Sequence, residues 1–211
     1  MGKRKIPDIL TEVEQQKLLD VFNTRYLSPH KNKTMIKLFL DSGLRLSEMI
    51  NLEWKHINLQ TGKIKVVQGK GAKDRVIWIN DGVLSMLRGW RDRQAREIGN
   101  TEFVFSTRKG DKLNPRDVRE MVYTYSKKAG IDHKEVSPHT FRHTFASDLL
   151  RATNNLRKVQ KALGHSDIST TQIYTHIVDE ELEEAMKGFR SEGWHIIYQF
   201  IKSFNYLYPF L

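Results

Sequence analysis

The sequence predicts a mixed α/β fold, mainly helical, with one small antiparallel β-hairpin. Two observations carry that expectation. Helix-start signals recur along the chain, at Thr11 with Glu14, at Asn114-Pro115 and at Ser137-Pro138, each leading into apolar residues at helical spacing. Strand-like alternation is confined to one region, Lys63-Ile64-Lys65-Val66 and the run from Arg75 to Ile79, joined by Gln68-Gly69-Lys70-Gly71-Ala72-Lys73-Asp74.

In chain order, Lys3-Arg4-Lys5 reads as a solvated basic terminus. Thr11 caps a helix whose stripe is Leu18, Leu19 and Phe22. A largely buried helix is expected from about Lys31 to Ser42, stopped by Gly43. Gly43-Leu44-Arg45-Leu46-Ser47-Glu48 then turns into a short apolar helix, with Arg45 at its start. In the hairpin loop, glycines on both sides of Lys70 let the backbone approach another backbone closely.

Asn80 or Asp81 caps a helix with Val83, Leu84, Leu87 and Trp90 inside, some of whose arginines face solvent. Phe103-Val104-Phe105 is expected to be a short buried strand, and Thr107 to Lys112 a basic loop. The Asn114-Pro115 helix turns Val118, Met121, Val122 and Tyr125 inward and stops at Gly130. The Ser137-Pro138 helix buries Phe141, Phe145, Leu149 and Leu150. The next carries Val159 and Leu163 and ends at Gly164, leaving His165 at its C-terminal turn before a short helix with Tyr174.

Composition narrows the function. The chain has 211 residues and a formal net charge of +10, spread along its length, which suits a nucleic-acid binder. It contains no cysteine, which excludes disulfides, thiol nucleophiles and Cys-based zinc sites. The basic start lacks a following apolar segment, so no signal peptide is expected and the cytoplasm is the expected compartment.

The chemistry concentrates between Ser137 and Tyr174. His139, Arg142 and His143 share a face at a helix N-terminus, where free N–H groups and the macrodipole favour an anion. No carboxylate lies at ligand spacing beside the histidines, so neither a metal nor another cofactor is expected. The order Arg45, Lys70, His139-x-x-Arg142, His165, Tyr174 resembles the tyrosine recombinases of the phage integrase family, most closely its Xer and integrase-like members. The resemblance runs from about Ile9 to about Lys187.

The resemblance implies a catalytic fold shared with type IB topoisomerases and a site-specific recombinase that cleaves and rejoins duplex DNA in recombination and integration. It implies that Tyr174 attacks a backbone phosphate to give a 3′-phosphotyrosine. Arg45 and Arg142 would clamp the phosphate, Glu48 would orient Arg45, and Lys70 would protonate the leaving 5′-oxygen. His139 is the candidate for the tyrosine proton, and His165 would hydrogen-bond the phosphate. His143 is expected behind that first set. Lys73, Arg108 and Lys109 are candidate DNA contacts.

The expected partners are duplex DNA and further copies of the chain, a tetramer on DNA, without a membrane. The expected division is a catalytic domain over 1–187 and an aromatic tail over 188–211, docking in trans on a neighbour or in cis on its own domain. The family's N-terminal DNA-clamping domain is expected to be absent. A type IB topoisomerase-like relaxing activity, a DNA-binding module without catalysis and a metal-independent nuclease are the competing readings.

Overall fold

The computed structural model describes residues 7–67, 74–164 and 174. Among them the chain is mainly helical, with one three-stranded antiparallel sheet in the order β1-β2-β3. The helices are α1 (Glu12–Asp20), α2 (Leu27–Ser42), α3 (Leu46–Ile50), α4 (Asp81–Glu97), α5 (Pro115–Lys128), α6 (Pro138–Thr153) and α7 (Leu156–Leu163). The strands are β1 (Ile57–Asn58), β2 (Lys63–Val66) and β3 (Arg75–Trp78).

Local chemistry explains most boundaries. Thr11 and Glu14 form the expected capping box, the Thr11 N–H donating to Glu14 Oε2 at 2.7 Å and the Glu14 N–H to Thr11 Oγ1 at 3.3 Å. Asn80, Asn114 and Asn155 each accept a backbone N–H at the start of α4, α5 and α7. Gly43 and Gly164 end α2 and α7 in the left-handed conformation. α2 starts at Leu27, earlier than the sequence suggested, because Pro29 falls in its first turn, where a missing N–H costs no hydrogen bond.

In the hairpin, Ile64 opposes Ile77, both buried, while Lys63 and Lys65 point outward. Strand β1 adds to the edge of this hairpin, pairing Ile57 with Ile64. The strand expected over Phe103-Val104-Phe105 is not formed. Phe103 makes only an isolated antiparallel bridge with Glu53, flanked by the Trp54 N–H donating to the Glu102 carbonyl and the Val104 N–H to the Leu52 carbonyl, and no ladder continues from it. Side chains of α4 take up the carbonyls of this segment. Trp90 Nε1 donates to the Val104 carbonyl at 2.6 Å, and Gln94 Nε2 reaches the Phe103 and Val104 carbonyls and Ser106 Oγ.

Helix α2 is the central element, its Met35, Ile36, Leu38, Phe39 and Leu40 buried and its faces packed on α4 and α6. Arginines of α4 staple loops to it: Arg88 bonds the Leu59 carbonyl, and Arg93 those of Thr24 and Arg25. A smaller apolar cluster lies between α6 and α7, made by Ala146, Leu150, Val159 and Leu163 together with the ring of Tyr174. No helix of the described residues is long and apolar enough to cross a membrane.

Candidate active site

The site is assembled where the C-terminus of α2, the start of α3, the root of β3, α6 and the end of α7 meet. Arg45 is the N-cap of α3, and Glu48 reaches back to it. The Arg45 backbone N–H donates to Glu48 Oε2 at 2.8 Å and its Nη1 to Glu48 Oε1 at 2.9 Å. The Glu48 side chain is only 6 % exposed, against 37 % for Arg45. Burial alone would push the Glu48 carboxyl up. Hydrogen bonds from Arg75 and from the Arg45 backbone, with the charges of both arginines, hold it below the usual carboxylate range.

Arg75 is the residue that sequence reasoning passed over. It opens β3, and alternation said only that one neighbour goes in and the next out. Its Nη1 and Nη2 grip Glu48 Oε1 and Oε2 at 2.7 and 2.8 Å, while Nε donates to the Ala162 carbonyl at 2.9 Å. A cation opening a strand beside a glycine-bearing loop was the available signal, and it does not by itself name a partner.

Arg142 is buried on α6, one turn into the helix. Its Nη1 donates to the Gly43 carbonyl at 2.6 Å and its Nη2 to the Leu163 carbonyl at 2.8 Å. Its pKa is lowered to about 10, chiefly by burial and then by the charges of Arg45 and Arg75, with Glu48 and Tyr174 acting the other way. It is therefore still cationic at neutral pH, in a place where Glu48 offsets only part of the charge of Arg45, Arg75 and Arg142. Such a place attracts an anion.

Gly43 makes the approach of Arg142 possible. At φ +60 its carbonyl turns toward α6, and an added Cβ would lie 2.3 Å from the Phe145 ring and 3.0 Å from Leu163.

Tyr174 is 1 % exposed, with its ring in the α6–α7 cluster. Its hydroxyl lies 2.6 Å from His143 Nδ1. Burial raises the phenol pKa to about 12 even though Arg142 lowers it. Burial also lowers the His143 pKa, with the charges of His139 and Arg142 acting the same way, so this imidazole is neutral at pH 7 and its ring can accept a proton. His139 sits in the first turn of α6 and is exposed. Of the two histidines, His143 is the one in hydrogen-bond contact with the Tyr174 hydroxyl.

Arg108 and Lys109 are exposed on a turn closed by the Thr107 N–H donating to the Asp111 carbonyl at 2.8 Å. Lys70, Lys73 and His165 lie outside the described residues, as do the tail over 188–211 and, apart from Tyr174 itself, the short helix expected to carry it. Among the described residues no group of His, Asp and Glu is arranged to hold a metal ion.

Comparison with known proteins places this geometry in context. The phage integrase family matches residues 8–181. The tyrosine recombinase XerC of Pseudomonas putida is 39% identical over 178 residues, 83% of this chain and 58% of the relative. The tyrosine recombinase XerD of Staphylococcus aureus is 35% identical over 189 residues, 88% of this chain and 63% of the relative. The chain thus spans about 60% of the length of these curated relatives.

Among solved structures, the XerA recombinase superposes with a TM-score of 0.77 at 30% identity, over 90% of this chain and 68% of that one. The XerH site-specific recombinase in a post-cleavage complex with its palindromic difH substrate gives 0.74 at 28% identity, over 89% and 54%.

Proposed function

Because the chain belongs to the phage integrase family, we propose that it is the catalytic part of a site-specific recombinase that cleaves and rejoins duplex DNA. The observation that carries the reading is the buried Tyr174 hydroxyl, 2.6 Å from His143 and within the field of Arg142, which in turn feels Arg45 and Arg75. A phenol placed beside arginines has the parts needed to attack a phosphate diester.

The chemistry divides as follows. Tyr174 Oη forms a bond to phosphorus and the 5′-oxygen leaves, giving a 3′-phosphotyrosine. A 5′-hydroxyl later attacks that linkage and restores a phosphodiester, so no ATP is consumed. Arg45 and Arg142 bind the non-bridging oxygens, where planar forked donors match the charge that builds in the transition state. The neutral His143 is the group placed to receive the phenolic proton, the role the sequence had suggested for His139. His139, exposed at the start of α6, is then placed for the phosphate itself. Lys70 as general acid and His165 as phosphate ligand complete the set by family resemblance.

The substrate is duplex DNA, a polymer that the net charge of +10 favours; the XerH structure holds its palindromic difH substrate. The remaining proposals are a catalytic domain over 1–187, an aromatic tail over 188–211 that docks in trans on a neighbouring copy or in cis on its own domain, a tetramer on DNA and a DNA-associated location in the cytoplasm. Trapping on a nicked suicide duplex tests the core of the reading. Wild-type protein is expected to form a covalent adduct, and Tyr174→Phe to bind the duplex without forming one. An adduct of normal yield from Tyr174→Phe, or none from wild type, overturns it.

A further inference from the structure

We propose that Arg75 is a positioning residue that keeps the Arg45 guanidinium turned outward, toward the phosphate of the proposed reaction. The inference rests on the recombinase reading and adds to it a residue that contacts no reacting atom in this arrangement. Three bonds define its place. The two η nitrogens close a bidentate pair with Glu48, and Nε anchors the same guanidinium to the Ala162 carbonyl at the end of α7. The pair is shielded from water, at 8 % exposure for Arg75 and 6 % for Glu48.

Glu48 is the hinge of the argument. A buried carboxylate needs a cation and hydrogen bonds on both oxygens. Arg75 supplies both. Arg45 therefore gives Glu48 a single side-chain nitrogen, Nη1, and keeps the rest of its fork on the partly exposed side. Without the Arg75 fork, Glu48 would draw Arg45 inward to satisfy itself, and the phosphate would lose one arm of its clamp. A lysine cannot replace the fork, because an ammonium offers no planar pair of donors and no third nitrogen for Ala162.

The test is single-turnover cleavage of a nicked suicide duplex at saturating DNA, with binding measured separately. Arg75→Lys is expected to cleave about tenfold more slowly or worse, the scale of losing part of an oxyanion clamp. Its DNA Kd should stay within about twofold of wild type, because Arg45 is one phosphate contact among many. Arg75→Lys with Glu48→Gln is expected to cleave faster than Arg75→Lys alone, since the neutral amide no longer pulls Arg45 inward. A purely structural role predicts no such recovery. Lys65→Gln, which removes an exposed partner of Asp74 on the same hairpin, serves as the unaffected control.

Thermal melts establish that each variant is folded at the assay temperature. If Arg75→Lys does not fold, Arg75→Gln with Glu48→Gln is compared with Glu48→Gln alone. Equal rates support the proposal, and a further loss overturns it. A folded Arg75→Lys that cleaves at the wild-type rate, or a double variant no faster than it, also overturns it. Failure of wild type to form any adduct is a different result and would fall on the recombinase reading instead.

Discussion

At the scale of single residues, the site turns on which histidine meets Tyr174. His139 and His143 are four apart and lie one above the other on α6, so their order in sequence fixes a shared face but not a depth. His139 is in the exposed first turn, whereas His143 is a turn deeper and reaches the phenol. Periodicity carries no information about that difference. Burial does, and burial depends on α7 and Tyr174 closing over the helix.

A pH profile checks the consequence. The groups around His143 are His139 and Arg142 on its own helix and Tyr174 opposite, and burial with the first two lowers its pKa. In the proposed reaction His143 is unprotonated and free to act as the base toward Tyr174 at neutral pH, and loses that capacity only as pH falls through its depressed value. The acid limb of the cleavage rate should lie below the ordinary histidine value of about 6.5. In His143→Gln that limb should disappear, with a rate reduced by about two orders of magnitude. An unchanged profile in His143→Gln would assign the limb to another group.

At the scale of elements, caps and alternation were enough to place α1, α4, α5, α6, α7 and the β2–β3 hairpin, because each of these helices begins on a side chain that bonds nearby backbone and β2 alternates in burial. What was not legible required partners from distant sequence. The segment over Phe103–Phe105 looks like a strand because it is apolar, yet its backbone pairing stops at one bridge and its carbonyls accept from Trp90 and Gln94. The role of Arg75 depends on Glu48 and Ala162, which lie 27 and 87 positions away.

Gly43 was read as a helix stop, which it is, but the space around it is the stronger constraint. Gly43→Ala forces a Cβ into the Phe145 ring in a left-handed conformation. The expected cost is about 1–3 kcal/mol, seen as a lower Tm. The same variant should cleave more slowly even when folded, because the carbonyl that holds Arg142 moves with it. A variant with unchanged Tm would mean that α6 slides aside at no cost.

At the scale of the whole molecule, charge and burial act together. With a net charge of +10, binding to duplex DNA should weaken steeply with salt, and log Kd plotted against log salt should give a straight line whose slope counts phosphates neutralised. Arg108→Ala with Lys109→Ala, on the exposed turn, should flatten that slope by about two contacts without altering the rate of the bound complex. A slope that stays the same would remove this turn from the DNA surface. A protein held to DNA by backbone charge alone spends most of its time on sequences that are not its target. Tyr174 meets that situation from inside a hydrophobic cluster, 1 % exposed and bonded to His143. Under the proposed function, a nucleophile on the surface would nick DNA wherever the protein paused. Under that same proposal, the phenol that would cut is kept sheathed in the α6–α7 cluster, beside the imidazole proposed to take its proton.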